Sequence, residues 1–310
     1  MELYLPIAEM SVNALALLAL GLSAGFLSGL FGIGGGFLMT PALIFIGVPP
    51  AVAVGSQAPH ILATSVSSLD QQWRRGNVDL RMAAAILTGG LIGSALGVRL
   101  FGYLKDIGQI DVVIALAFIL LLSTTGAMML AESGRTMWRQ RGETPAPRRK
   151  LHQHYWVARW PVKVRFPKSR LYISIFLPLL LGLAGGVLSA IMGIGGGFLL
   201  VPAMIYLLGM PTLLVIGTSA MQIVFVAANV TVLQAWQNQT VDLVLALVMI
   251  AGGVIGAPLG SRLSTRLPGE QLRGLLALLL VGMAIKLLVD MVVTPEETYV
   301  LAGAGAGGGR

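Results

Sequence analysis

Ser28-Gly29-Leu30-Phe31-Gly32-Ile33-Gly34-Gly35-Gly36-Phe37 runs through an otherwise apolar stretch. A near copy follows at Ser189-Ala190-Ile191-Met192-Gly193-Ile194-Gly195-Gly196-Gly197-Phe198. In both, a proline (Pro41, Pro202) stands four residues after the Phe. Each glycine inside a helix costs roughly 1 kcal/mol relative to Ala, so runs of glycine mark breaks. A membrane core tolerates broken backbone only where it is buried in protein or lines a wet cavity. The two nodes therefore read as the centre of a membrane transporter, each interrupting a hydrophobic segment.

Composition agrees with this reading. Of 310 residues, 56% are hydrophobic and 11% charged, with mean hydropathy +0.84. A soluble domain carries about 25% charged residues. Several stretches are apolar for about 20 residues, enough to cross a ~30 Å hydrocarbon layer as a helix. The short alternating strands of a transmembrane barrel are not evident. The expected class is all-α, a polytopic transmembrane helical protein. The net charge of +8 does not imply nucleic acid, because most basic residues gather in one loop. With no cysteine, disulfides, thiol catalysis and iron–sulfur clusters are excluded. Met1 to Glu9 holds no Lys or Arg, so it lacks the basic start of a signal peptide. The first hydrophobic segment is expected to stay.

The two nodes belong to a longer internal repeat. Gly25, Ser28, Gly32, Gly34, Gly36 and Pro41 match Gly186, Ser189, Gly193, Gly195, Gly197 and Pro202 at an offset of 161. Gly47, Gly55 and Ser56 match Gly209, Gly217 and Thr218 at 162. Trp73, Asp79, Gly93, Gly97 and Arg99 match Trp236, Asp242, Gly256, Gly260 and Arg262 at 163. Each half reads as five helical segments: 10–31, 35–47, 50–73, 79–104 and 108–132, then 171–192, 196–208, 211–236, 241–265 and 270–290. The domains follow as a first repeat over 1–132, a basic link over 133–170, a second repeat over 171–292 and a flexible tail over 293–310. The tail is Gly/Ala-rich.

Charge sets the orientation. The turn after the third segment, the link, and the last turn of the second half together hold 17 of the 21 Lys and Arg residues. These lie on one side only if each half crosses an odd number of times, and positive-inside makes that side cytoplasmic. The halves then become inverted repeats, broken or re-entrant at Gly32–Gly36 and Gly193–Gly197. Ten crossings, or six with two re-entrant hairpins, both satisfy this parity. The expected location is the cytoplasmic (inner) cell membrane, with both termini outside and the link cytoplasmic. In the link, Tyr155, Trp156, Trp160 and Phe166 alternate with Arg159, Lys163 and Arg165, a pattern suited to a membrane interface.

Two groups of residues are candidates for binding substrate. A helix restarting inside the membrane after a glycine break points its positive dipole end and free N–H groups at the break, a natural anion site. This brings in Ser28, Gly34, Gly35 and Gly36, with Ser189, Gly195, Gly196 and Gly197. Small-residue helix packing is the structural alternative. The third segments add Ser56, Gln57 and His60, with Thr218, Ser219 and Gln222 in the partner half. Polar side chains on an apolar span turn toward protein or cavity, and interhelical hydrogen bonding is the alternative. Imidazole titrates near neutrality, which makes His60 a candidate proton carrier, with a satisfied buried histidine as the alternative. Lys286 and Asp290, like Asp70 and Arg74, stand four apart and are expected to pair. Neither a metal-binding cluster nor a catalytic arrangement stands out, so no cofactor, metal or enzyme activity is expected.

The duplicated Gly-x-x-Ser-[Gly/Ala]-x-x-Gly-x-Gly-Gly-Gly-Phe-x-x-x-Pro motif, with Gly217-Thr218-Ser219, resembles the sulfite exporter TauE/SafE family of membrane permeases. The resemblance spans roughly 10–132 and 171–290. It implies movement of sulfite, organosulfonates and related anions across the cytoplasmic membrane. Gly55-Ser56-Gln57 departs from the family's usual Thr-Ser pair, and the link is longer than in compact members. The expected function is a secondary transporter for small sulfur-containing anions such as sulfite, thiosulfate or organosulfonates, working by alternating access. The expected partners are the anion, the lipid bilayer, a coupling proton or sodium ion, and a second copy in a homodimer. An anion channel, or a membrane-embedded enzyme or assembly factor with a cytoplasmic partner, is the other reading.

Overall fold

The computed structural model describes residues 2–31, 36–139, 162–169, 171–264 and 269–293. Its helices in chain order are α1 (Ala14–Phe31), α2 (Gly36–Phe45), α3 (Pro50–Arg74), α4 (Leu80–Asp106), α5 (Ile110–Arg139), α6 (Phe176–Met192), α7 (Gly197–Tyr206), α8 (Thr212–Leu233), α9 (Leu243–Ser264) and α10 (Gly269–Val292). A π-helical turn, Gln234–Asn238, extends α8. The protein is an α-helical membrane protein. Five described helical spans are long and apolar enough to cross a bilayer, within α4, α5, α8 with its π turn, α9 and α10. Shorter apolar helices lie at Ala14–Leu27, Gly36–Phe45 and Phe176–Met192. Helix α3 has the length but not the apolarity, because Ser56, Gln57, His60, Thr64, Ser65 and Asp70 interrupt it.

The segment boundaries have local causes. Pro50 opens α3, where a missing N–H costs little. The Asp79 carboxylate caps α4, with Oδ1 accepting from the N–H groups of Arg81 and Met82 at 3.2 and 3.3 Å. Asp242, its counterpart, caps α9 by accepting from Val244 and Leu245 at 3.0 and 3.1 Å. Helix α6 ends at Gly193, whose N–H donates to the Ser189 carbonyl at 2.9 Å. Gly193, Gly195 and Gly196 have φ of 66°, 77° and 74°. Side chains carry a penalty in that region, so only glycine makes this turn cheaply. The second predicted break is thus a real interruption between α6 and α7. The first falls mostly at 32–35, outside the described residues, between the ends of α1 and α2.

Residues 10–13 are not the start of the first helix. Each half begins with an antiparallel hairpin: β1 (Glu2–Leu5) with β2 (Met10–Asn13), and β3 (Lys163–Phe166) with β4 (Leu171–Ser174). The two hairpins correspond strand for strand at the offset of 161. Lys163, Arg165 and Phe166 of the predicted interfacial stretch are therefore strand residues. Residues 140–161, including Tyr155, Trp156 and Trp160, and residues 294–310 lie outside the described residues.

Packing follows the repeat. Helix α1 lies along α9 as α4 lies along α6; α3 packs on α8 and α5 on α10. Every one of these pairs maps onto itself or its counterpart when the halves are exchanged. Close approach at the α1–α9 and α4–α6 crossings requires glycine. A Cβ on Gly252 would stand 2.6 Å from the Leu18 carbonyl oxygen, and one on Gly186 would stand 2.7 Å from the Ser94 nitrogen. Small residues at such crossings let dispersion and backbone contacts hold helices together in lipid. The largest apolar cluster joins Phe37 and Phe198 to Phe101, Ile114, Phe118, Leu122, Leu276 and Leu280. Two further bonds fix the relative direction of α3 and α8. The Asp242 N–H donates to Ser56 Oγ at 2.8 Å, and the Asp79 N–H donates to Thr218 Oγ1 at 3.2 Å. The start of α3 is therefore level with the start of α9, and the start of α8 with the start of α4. Because α4 follows α3 and α9 follows α8, α3 and α8 run side by side in opposite directions.

Candidate functional site

The two short helices meet. Phe37 in the first turn of α2 and Phe198 in the first turn of α7 stack with ring centroids 4.8 Å apart and planes 23° apart. Gly36 sits against the opposite node, where a Cβ would lie 3.1 Å from the Ile194 carbonyl oxygen. Gly195 is flanked by the side chains of Ile61 and Ile223, from α3 and α8. Gly193 abuts the backbone of Val54, so α3 passes directly over the second node. Gly36, Gly195, Gly196, Gly197 and Ser189 are all buried at this crossing. Gly34 and Gly35 lie outside the described residues, and for Ser28 only its place in α1 is described.

Gln57 stands between Val54 and Ile61 at helical spacing, so it shares the face of α3 that meets the node. Its Nε2 donates to His60 Nδ1 at 3.0 Å. An amide nitrogen is a donor only, so Nδ1 accepts and the neutral ring carries its proton on Nε2. That Nε2 lies against Gly253 of α9, where no Cβ blocks it. Gln222, the counterpart of His60, lies against Gly90 of α4, the counterpart of Gly253. The two polar residues thus occupy matching niches, one in each half.

What sets this group apart is its lack of partners. Gln57, His60 and Gln222 are 0%, 1% and 0% exposed. Gln57 Oε1, His60 Nε2 and both amide atoms of Gln222 have no hydrogen-bond partner among the described residues. Leaving a buried polar group unsatisfied costs about 1–3 kcal/mol, so proteins seldom do it without a reason. Nearby amides show the ordinary solution. Asn229 donates to Ser94 Oγ at 2.8 Å, Gln234 to the Ala190 carbonyl at 3.2 Å, and Asn238 to Gln234 Oε1 at 2.7 Å.

Other predicted residues have structural employment. Ser56 and Thr218 accept the Asp242 and Asp79 backbone N–H groups, and Ser219 Oγ donates to the Ile216 carbonyl at 3.1 Å. Arg74 and Asp70 pair at 3.0 Å on the surface. The expected Lys286–Asp290 pair does not form. Lys286 instead places its Nζ 3.9 Å from the centre of the Phe45 ring, an attraction of ammonium to the ring face. Sequence reasoning also passed over what Asp79 and Asp242 hold. Asp242 Oδ2 accepts from the Ile7 N–H at 2.9 Å, while Asp79 Oδ2 accepts from Ser169 N–H at 3.0 Å and its hydroxyl at 2.5 Å. Each carboxylate ties a helix start to a hairpin turn. Their match at an offset of 163 was the available signal. Two cavities among the described residues lie elsewhere: one of about 160 Å³ between α1, α2 and α10, lined by Ser23, Leu38 and Met283, and one of about 200 Å³ beside Trp73 and Lys168.

Comparison with known proteins now bears on this geometry. The family model described as Sulfite exporter TauE/SafE matches residues 17–287. A "Probable membrane transporter protein" of Xylella fastidiosa (strain 9a5c) is 32% identical over 265 residues, covering 84% of this chain and 89% of that one. The "Probable membrane transporter protein YjnA" of Bacillus subtilis (strain 168) is 25% identical over 278 residues, 89% of this chain and all of its own length. "Sulfite exporter TauE/SafE family protein 1" of Arabidopsis thaliana is 30% identical over 128 residues, 41% of this chain and 28% of that one. No solved structure matches. The match spans both glycine nodes and both polar helices, and the chain belongs to the sulfite exporter TauE/SafE family of membrane transporters.

Proposed function

We propose that this transporter moves a small sulfur-containing anion, such as sulfite, thiosulfate or an organosulfonate, by alternating access. The carrying observation is the set of buried, unpartnered polar atoms on α3 and α8. They include two neutral donors, His60 Nε2–H and the Gln222 amide, and neutral donors hold an anion without trapping it. The starts of α2 and α7 add positive dipole ends near by. The sulfur specificity rests on the family's name and on the name of the relative from Arabidopsis thaliana. The antiparallel pairing of α3 and α8 supports inverted repeats with an axis in the membrane plane. Burial of all four atoms supports an occluded site that opens only when the halves move. Reconstituted protein in liposomes tests the proposal. Saturable flux of at least one of sulfite, thiosulfate and methanesulfonate is expected. No flux of any of them, under any ion or voltage gradient, refutes it.

A further inference from the structure

The niche against α9 and the niche against α4 differ in their polar residues: the first holds His60 with Gln57, the second Gln222 with Ser219, the counterpart of Gln57 at the offset of 162. The Gln57 amide bonds the histidine, whereas the Ser219 hydroxyl donates to the Ile216 carbonyl of its own helix. We infer that His60 is the coupling group of the transporter, taking up one proton together with each anion, and that Gln57 is the amide that lets it do so. This inference rests on the transport reading above.

The chemistry follows from the unpaired atoms. In the neutral ring Nδ1 accepts from Gln57, and Nε2–H has no partner. A proton arriving at the ring makes both nitrogens donors. The present Gln57 contact would then set donor against donor. Gln57 Oε1 is also unpartnered, so turning the amide over makes Nδ1–H···Oε1 and frees its NH₂ group. Nε2–H, now on a cation, remains free to meet the anion. A charge-assisted hydrogen bond of this kind is about twice as strong as a neutral one. The proton comes from water on the loading side and leaves to water on the other, with the anion.

Other charges do not compete for this role. Of the elements packed against α3, α2, α6 and α8 contain no Asp, Glu, Lys, Arg, His or Tyr. Asp242, the cap of α9, meets α3 through its N–H at Ser56, one turn before His60, and its carboxylate accepts from the N–H groups of Ile7, Val244 and Leu245; α9 itself contributes Arg262, nine residues beyond Gly253. Helix α5 contributes Asp111, which accepts from the Ala51 backbone at the start of α3, and Glu132, Arg135 and Arg139 toward its far end. Asp70 and Arg74 of α3 itself are paired and exposed.

Thiosulfate and methanesulfonate are the probes, because both are fully ionised near neutral pH and carry no proton of their own. Anion uptake and lumen pH are read in the same liposomes. The wild type is expected to accumulate anion against its gradient when a pH gradient is imposed, with one proton per anion. In His60→Gln, which puts the other half's amide in place of the ring, the ratio is expected to fall from one to none. Anion flux with no proton movement in the wild type overturns the inference and leaves the transport reading standing. A ratio of one in His60→Gln overturns it as well. If the wild type moves neither probe, the transport reading fails and takes the inference with it. Should His60→Gln move no anion, ring-nitrogen NMR of the protein carrying His152→Gln and His154→Gln decides. Adding thiosulfate at fixed pH must convert the His60 ring to its protonated form, and a ring that stays neutral overturns the inference.

Discussion

Gln222→Met separates a binding site from a structural one by the sign of its effect on stability. Gln222 is wholly buried, and neither end of its amide has a partner. Removing an unsatisfied buried amide while keeping a linear chain of similar length returns its desolvation cost, about 1–3 kcal/mol. Met suits the position because its flexible thioether adapts to irregular space, and Gly90 and Val226 line the place where Nε2 now ends. For a chain of this size each kcal/mol moves a thermal midpoint by about 2–4 °C. The expected shift is therefore upward, by roughly 2–12 °C, while flux is lost. Functional sites commonly show this trade of stability for activity. The assay is a thermal melt of purified protein followed by fluorescence, paired with liposome flux of the same preparation. A lowered midpoint would mean that the amide is satisfied and structural. An unchanged flux would remove Gln222 from the site.

Three further outcomes follow from the geometry. Asp242→Ala and Asp79→Ala each remove a helix cap and the hydrogen bond to a hairpin turn, so each is expected to lower stability by about 2–4 kcal/mol, measured as the loss of melting midpoint. Gly253→Ala drives a methyl group into the His60 ring and is expected to cut flux at least tenfold, whereas Gly282→Ala, with open space around it, leaves flux unchanged. Gly196→Leu forces a side chain into φ 74° with the Gly185 carbonyl oxygen 2.8 Å from the new Cβ, so folded protein should fall in a detergent-extraction assay, by at least about 1–2 kcal/mol of stability.

The helices were legible because glycine, proline and aspartate punctuate them. Pro50, Asp79 and Gly193 stand within a residue of observed helix ends. The hairpins were not. Four-residue strands give too short an alternation to stand out beside 20-residue apolar runs. Only the repeat carries them, through Leu5-Pro6 matching Phe166-Pro167 at the same offset of 161 as the nodes. Within the site, sequence pattern picks out polar residues on apolar helices but not which of them lack partners. Ser56 and His60 stand four apart on one helix and look alike in sequence. The first is satisfied by a backbone N–H from the other half, and the second keeps a ring nitrogen unpaired. That distinction depends on contacts across about 190 residues of sequence, which no local rule encodes. Lys286 likewise has two partners within reach, and the ring of Phe45 from another helix wins over the local carboxylate.

A structure of the protein bound to thiosulfate or to a heavier sulfite analogue such as selenite shows where the anion sits. Anion density is expected within hydrogen-bond distance of His60 Nε2 or the Gln222 amide, beside the starts of α2 and α7. Density confined to the cavity beside Trp73 and Lys168, with Gln57, His60 and Gln222 still unpartnered, would contradict it.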